Sequence, residues 1–145
     1  MYKRSVYWIM VTFCLGLIGV SAQTASHPEK GSSERTALLN TLRGPVETEL
    51  KQKIVFVVHD LNVQGNWAFV NGSLQTPDGS RPDFKITKYR QNEENGALDS
   101  DVQALFRKTG GKWKIVTKAI GCTDVCYVDW WRRFKAPKTI FPYTE

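Results

Sequence analysis

Apolar residues between positions 34 and 51 recur at steps of three and four, the spacing that places them on one face of an α-helix. Ser32 or Ser33 can cap this helix at its start. Gly44 and Pro45 interrupt the stripe. Because proline removes a backbone donor and clashes with the preceding turn, we expect a kink or a restart there. The apolar stripe consists of Leu38, Leu39, Leu42, Val46 and Leu50.

The pattern then changes to a period of two, which predicts β-strands. Residues 53–63 and 67–74 are joined by a turn at 64–66, so we expect them to form a hairpin. Strict alternation in the first strand predicts which side chains share a face. One face holds Val55, Val57, His59, Leu61 and Val63, and the other holds Ile54, Phe56 and Val58, followed by Asp60 and Asn62.

A second hairpin is predicted from residues 101–108 and 112–120, which flank a turn at 109–111 that contains two glycines. Lysines at positions 112, 114 and 118 mostly share one face of the returning strand, and we expect that face to be solvated. Between the two hairpins, residues 83–89 could form a short edge strand. Residues 91–100 are polar and are typical of an exposed loop.

The segment after Gly121 predicts a short helix that Thr123 or Asp124 can cap and that ends near residue 135. Its apolar spacing places Trp131 in the core and leaves Trp130 half exposed. Helices that are segregated from paired strands indicate an α+β fold. We therefore expect an N-terminal helix packed on a curved antiparallel sheet of four to five strands, with a short C-terminal helix.

Two short strings and the element order carry a resemblance to a known architecture. Residues 111–116 read GKWKIV and resemble the penultimate turn and last strand of many cystatin-like and nuclear-transport-factor-2-like domains. Residues 64–70 read QGNWAFV and have the same character of a turn followed by aromatic residues. These two strings and the segment 121–137 together resemble parts of small secreted bacterial proteins of this type. The resemblance implies an isomerase-like enzyme, a ligand carrier, a protease inhibitor or an assembly module, and fold alone does not choose among them.

The first 22 residues have the three parts of a secretory signal peptide. Lys3 and Arg4 form a basic start, an uncharged stretch follows at 5–20, and small residues lead to a predicted cleavage after Ala22. The alternative is a retained N-terminal anchor. We expect a secreted or periplasmic protein with a disordered lead-in at 23–32 and a single α+β domain at 33–145.

Composition narrows the function classes. The chain has 20 Lys and Arg against 14 Asp and Glu, and removing residues 1–22 takes away two basic residues and leaves a net charge of +4. Nucleic-acid binders usually carry a dense basic stripe, whereas these cations are scattered, so we do not expect a nucleic-acid partner. Membrane contact is expected only through the removable signal segment.

The cysteines are the sharpest local signal. Cys14 is expected to be lost with the signal, which leaves Cys122 and Cys126 as candidates for one disulfide. Bridged Cα atoms lie within about 7 Å, so the bridge requires residues 122–126 to form a turn. Free thiols, a redox pair or a metal site are the alternatives. A metal site would need further ligands, and His27 and His59 are the only histidines, so we expect none.

His59 and Asp60 are the only imidazole and carboxylate that are neighbours in the sequence. Adjacent side chains on a strand point to opposite faces, so this pair does not predict a catalytic dyad. His59 is either a strand-end histidine bonded to backbone or solvent, or a ligand or proton-transfer group in a cavity between sheet and helix.

A second candidate site is a segment of aromatic and basic residues, the types that anchor protein interfaces. Its members are Tyr127, Trp130, Arg132 and Arg133. The alternative is that the aromatic residues complete a small core. We predict a non-enzymatic binding module without a cofactor, which engages a protein or a small ligand. The second hypothesis is a small ketosteroid-isomerase-like enzyme or a ligand carrier with a pocket between sheet and helix, in which His59 would be the base.

Overall fold

A computed structural model describes residues 24–145, and the predicted signal segment at 1–22 lies outside them. Four strands form one open antiparallel sheet in the order β1-β2-β3-β4. This is the α+β fold that the sequence predicts. The elements are helix α1 (Ser33–Leu50), strands β1 (Val55–Gln64) and β2 (Trp67–Gln75), helix α2 (Arg90–Glu94), strands β3 (Asp101–Thr109) and β4 (Lys112–Ile120), and helix α3 (Trp130–Arg133).

Helix α1 begins where Ser32 caps it, because the Ser32 hydroxyl accepts a hydrogen bond from the Arg35 amide at 3.3 Å. The helix is continuous through Pro45, so the expected restart does not occur. Leu42 and Val46, on either side of this interruption, are both fully buried in the same core. Packing against the sheet therefore holds the helix together across the lost backbone bond.

One face of the sheet, which we call the inner face, is covered by α1. Four residues of the helix stripe are buried there at positions 38, 42, 46 and 50, as the spacing predicts. They pack with aliphatic side chains from all four strands and with Phe84 from the long connection between β2 and β3. The face opposite α1 is called the outer face below.

A β-bulge at His59 changes which side chains of β1 face α1. Val58 pairs with Gly72 and Asp60 with Asn71, so His59 has no partner residue in β2. One extra residue exchanges the two faces of everything that follows it. The predicted faces of β1 are therefore wrong beyond position 58. Leu61 and Val63 join the inner core, while Val55 and Val57 are exposed.

A second bulge has the same effect on β4. Val116 has no partner in β3, since Leu105 pairs with Thr117 and Phe106 with Ile115. Beyond this bulge Lys118 lies on the side of α1 and forms an ion pair with Glu49. The predicted solvated lysine face is therefore wrong at position 118, although Lys112 and Lys114 are exposed.

Glu49 is the centre of an ionic cluster that ties α1 to its neighbours. Its carboxylate accepts hydrogen bonds from Lys118 and Tyr89 and lies 2.8 Å from the Lys88 ammonium. Burial alone would raise the pKa of Glu49, but the bonds from Lys118, Lys88 and Tyr89 outweigh it and hold the pKa at about 2. The carboxylate is therefore ionised over the whole ordinary pH range.

The connection at 83–89 is not the edge strand that its pattern suggested. Phe84–Ile86 forms a 3-10 turn, and α2 begins at Arg90. The Asp83 carboxylate accepts from the Lys85 amide at 2.9 Å, and the Thr87 hydroxyl donates to the Phe84 carbonyl at 2.7 Å. These local bonds satisfy the backbone and compete with strand pairing.

The outer face is half covered by the C-terminal segment, which forms a second, aromatic core. Phe69 from β2 lies 4.7 Å from the Tyr127 ring and 4.9 Å from the Phe141 ring, measured between centroids. Trp130 is only 4% exposed, whereas Trp131 is partly exposed. The predicted roles of the two tryptophans are therefore reversed. Helix α3 is a single turn because residues 122–129 form turns instead of the predicted helix.

Candidate binding groove at the edge of the sheet

A groove of about 410 Å³ lies beside the bulge of β1. Three parts of the chain line it: the lead-in before α1 with the first turn of that helix, strand β1, and the C-terminal tail. Its polar side chains are His27, Arg35, His59, Asp60, Asn62 and Thr139, and its tail side also contains Phe141. Both histidines of the chain therefore meet in one surface feature, although they are far apart in the sequence.

The lead-in forms one wall because it pairs with the free edge of β1. The Ser26 amide donates to the Val63 carbonyl at 2.7 Å, and the Val63 amide donates to the Ser26 carbonyl at 2.8 Å. Ser26 is thus placed against the edge of the sheet, and the disordered lead-in at 23–32 stays a prediction. This single bridge also positions His27 next to β1.

His27 is held by a short chain of hydrogen bonds. Its Nδ1 lies 2.7 Å from Oδ1 of Asn62, and Nδ2 of Asn62 donates to the Ile140 carbonyl at 2.7 Å. Asn62 is buried, so its amide is fixed between the lead-in and the tail. The groove therefore has an ordered imidazole at one wall.

Arg35 brings a positive charge to the groove from the first turn of α1. One guanidinium N–H donates to the Pro28 carbonyl at 3.3 Å. Within residues 24–145 no carboxylate forms an ion pair with Arg35. The guanidinium thus has donors left for a ligand.

His59 lies on the surface at the bulge, not in the core between α1 and the sheet. Its Nε2 is 2.8 Å from the Ser73 hydroxyl, the distance of a nucleophile and its base. A catalytic triad also needs a carboxylate that orients the imidazole. In the described part of the chain no carboxylate bonds to His59. Asp60 accepts instead from Asn71 at 2.9 Å.

The other polar groups of the outer face are bonded to one another, in a row that we call the polar ladder. It runs from Asp60 through Asn71 and Gln103 to Asp101. Gln103 is 3% exposed, and its Oε1 and the Oδ1 of Asp101 have no hydrogen-bond partner among the described residues. Burial raises the pKa of Asp101, and the negative charge of Asp99 adds to this rise. The hydrogen bonds from Gln103 and the Cys122 amide lower the pKa and only partly offset it.

The four residues predicted as a binding patch do not form one surface. Tyr127 and Trp130 are buried in the aromatic core, while Arg132 and Arg133 are exposed. Arg133 lies over the ring of Phe134, its guanidinium carbon 5.3 Å from the ring centroid. A binding role for Arg132 and Arg133 stays a prediction.

The disulfide is confirmed between Cys122 and Cys126, whose Cα atoms are 6.2 Å apart. In the described part of the chain, no group of three or more His, Cys, Asp or Glu side chains is arranged to hold a metal ion. None of the helices at positions 24–145 has the length and hydrophobicity that crossing a bilayer requires.

A larger hollow of about 490 Å³ lies at the end of α1, where Glu47 and Lys53 are already paired with each other. There Glu47 accepts from Lys53 at 2.9 Å and from the Ile54 amide at 3.1 Å. Both bonds lower the pKa of Glu47, and the bond from Lys53 has the larger effect. The groove beside β1 is the better candidate, since it combines both histidines and Arg35 from three separate parts of the chain.

Sequence reasoning considered His59 alone and did not find the groove. Its parts come together through the bridge between Ser26 and Val63, which no local pattern indicates. No protein-family model matches the sequence, and no curated protein or solved structure matches it either. The resemblance to cystatin-like and nuclear-transport-factor-2-like domains stays a prediction.

Proposed function

We propose that the protein is a secreted or periplasmic, non-enzymatic binding module that holds a small ligand, or the end of a protein partner, in the groove beside β1. One observation carries this proposal: both histidines and an arginine without a carboxylate partner line the same groove. A volume of about 410 Å³ suits a small ligand, since such sites measure roughly 300–1,000 Å³.

The disulfide and the predicted signal peptide support the location. Disulfides persist in oxidising compartments outside the cytosol, and Cys122 and Cys126 are bridged. The signal segment at 1–22 would bring the chain to such a compartment.

An enzyme is the second candidate, because the contact between His59 and Ser73 has the distance of a base and its nucleophile. We favour binding over catalysis because the imidazole is exposed to solvent and lacks an orienting carboxylate in the described residues. A hydrolytic reaction would also need preorganised donors for the developing oxyanion.

The test is a nuclear magnetic resonance titration of the purified protein with a panel of small acids, sugars and short peptides. The two imidazoles give separate side-chain signals, which His27→Gln and His59→Gln would assign. A ligand of the groove should shift both imidazoles and the Asn62 amide.

Arg35→Gln should weaken that binding about tenfold, the effect of one charge-assisted hydrogen bond. Arg107→Gln is the matched control, since this exposed arginine lies on β3 and does not line the groove. Ligand-induced shifts confined to α3, with the groove unchanged, would contradict the proposal.

A further inference from the structure

The bond between His27 and Asn62 fixes the position of one proton. Nδ2 of Asn62 donates to the buried Ile140 carbonyl, so the amide oxygen is the atom that faces His27. An amide oxygen accepts hydrogen bonds and cannot donate them. Nδ1 of His27 therefore carries the proton in the neutral imidazole, and the tautomer follows from the network.

This tautomer leaves Nε2 of His27 for a ligand. In the neutral ring Nε2 is an acceptor, and protonation changes it to a charged donor. The bond from Nδ1 to Asn62 is present in both states, so protonation does not require the lead-in to move. The wall of the groove can thus change its charge without changing its shape.

Protonation of the imidazoles changes the net charge of the groove from neutral to positive, because the other charged groups that line it offset each other. Arg35 faces it from α1, and Asp60 and His59 face it from β1, while the tail contributes Thr139, Phe141 and Pro142, which have no charge. Arg35 and Asp60 offset each other in formal charge when both imidazoles are neutral. Protonation of the two imidazoles then gives the groove a net charge of about +2.

We infer that the groove binds an oxyanion, either a carboxylate or a tetrahedral group such as a phosphate, between Arg35 and Nε2 of His27, and binds it more tightly in mildly acidic solution. The inference rests on the proposed function and adds to it the chemical class of the ligand. The negative charge of Asp60 opposes this binding, and the positive charges of Arg35 and of the protonated imidazoles together outweigh it.

The experiment measures sulfate and acetate binding to the purified protein at pH 8 and pH 5.5 and constant ionic strength. Sulfate keeps its charge over this range, so a change in its affinity reports the protein. We expect sulfate to bind about three- to tenfold more tightly at pH 5.5, the effect of one added charge-assisted hydrogen bond at a partly exposed site. Tighter binding of sulfate than of acetate would indicate a phosphate-like ligand, and the reverse a carboxylate.

Two variants separate the parts of the groove. His27→Gln should remove most of the pH dependence, while Arg35→Gln should weaken binding at both pH values. Arg107→Gln is again the control and should change neither. On the unaltered protein, the nitrogen chemical shifts of His27 at pH 8 should show a protonated Nδ1, which tests the argument even where a variant fails to fold.

The outcomes distinguish this inference from the proposed function. Neutral ligands that shift the groove signals when sulfate and acetate do not would overturn the inference and leave the proposed function standing. No binding of any ligand in the groove would overturn both. Equal sulfate affinity at the two pH values, or a neutral His27 protonated at Nε2, would overturn the inference alone.

Discussion

The two faces of the sheet are built by different means. The inner face is closed by one long helix whose buried side chains are Leu38, Leu42, Val46 and Leu50. The outer face is partly covered by the C-terminal segment that contains α3. This segment packs aromatic rings on Phe69 and contains the disulfide between Cys122 and Cys126. The inner core is mostly aliphatic and follows the regular spacing of α1. The outer core is mostly aromatic and lies next to the groove. The tail is therefore part of the fold and also part of the groove, since Phe141 belongs to both the aromatic core and the groove lining.

The largest expected effect tests whether the outer face is a true core. Trp130→Ala should lower the free energy of unfolding by about 3–5 kcal/mol, because it removes a large buried ring. Leu42→Ala on the inner face should cost a similar amount, about 2–5 kcal/mol. Trp131→Ala is the matched control and should cost about 1 kcal/mol or less, since that ring is partly exposed. Urea unfolding measures all three, and equal losses for both tryptophans would show that α3 is misplaced.

A smaller effect is expected from the disulfide. Replacing both Cys122 and Cys126 by serine should lower stability by about 2 kcal/mol, as chain entropy predicts for so short a loop. Amide hydrogen exchange should accelerate around residues 122–127 while the amides of α1 keep their protection. Faster exchange spread evenly over the whole sheet would mean that the bridge has a global role.

The ionic cluster on the side of the inner face predicts an acid-sensitive contribution. The pKa of Glu49 is about 2, below its ordinary value of 4.5, so its stabilisation is present above pH 4.5 and is lost as the pH falls towards 2. Glu49→Gln should cost about 1–2 kcal/mol at pH 7 and much less at pH 2, where about half of the carboxylate is protonated in the folded state.

The control for this cluster is Glu94→Gln, which breaks an exposed pair with Arg90 on α2. It should leave the unfolding midpoint unchanged at both pH values. A loss from Glu49→Gln that stays constant between pH 7 and pH 2 would contradict an ionic origin.

The smallest effect concerns the polar ladder of the outer face. Because burial raises the pKa of Asp101, ionising this carboxyl destabilises the fold as the pH rises above its ordinary value of 3.8. Asp101→Asn should therefore stabilise the protein by somewhat less than about 1 kcal/mol at pH 7, and not at pH 3. Thermal unfolding at the two pH values measures this, and a loss at pH 7 would show that the ladder needs the negative charge.

The sequence predicts the inner half of the molecule better than the outer half. Helix α1 and the two hairpins follow from hydrophobic periods that tertiary packing agrees with. The bulges at His59 and Val116 are single extra residues inside strands of ordinary composition, so alternation alone misassigned the faces beyond them. The choice between Trp130 and Trp131 failed because a one-turn helix has too few residues to show a period.

The candidate site was still harder to predict. Asn62 fixes His27 through a carbonyl at position 140, so the decisive contacts join residues that are far apart in the chain. A pattern read within a window of a dozen residues contains no such information. The disulfide could be predicted because its two partners lie within five residues of each other.

The unpaired position at residue 59 has a consequence for how this gene can vary. Because residue 59 is exposed and has no partner in β2, most side chains should fit there, so substitutions of His59 should have little effect on the stability of the fold. An in-frame loss of the codon for His59 would remove the bulge and make the pairs of Val58 with Gly72 and Asp60 with Asn71 consecutive, so Leu61 and Val63 would stay on the inner face. Loss of another codon of the same strand would instead shift the register and exchange faces. Tolerance of substitution and tolerance of deletion should thus coincide at this one position of β1, which the yields of folded protein from a library of single-codon deletions through the strand would show directly.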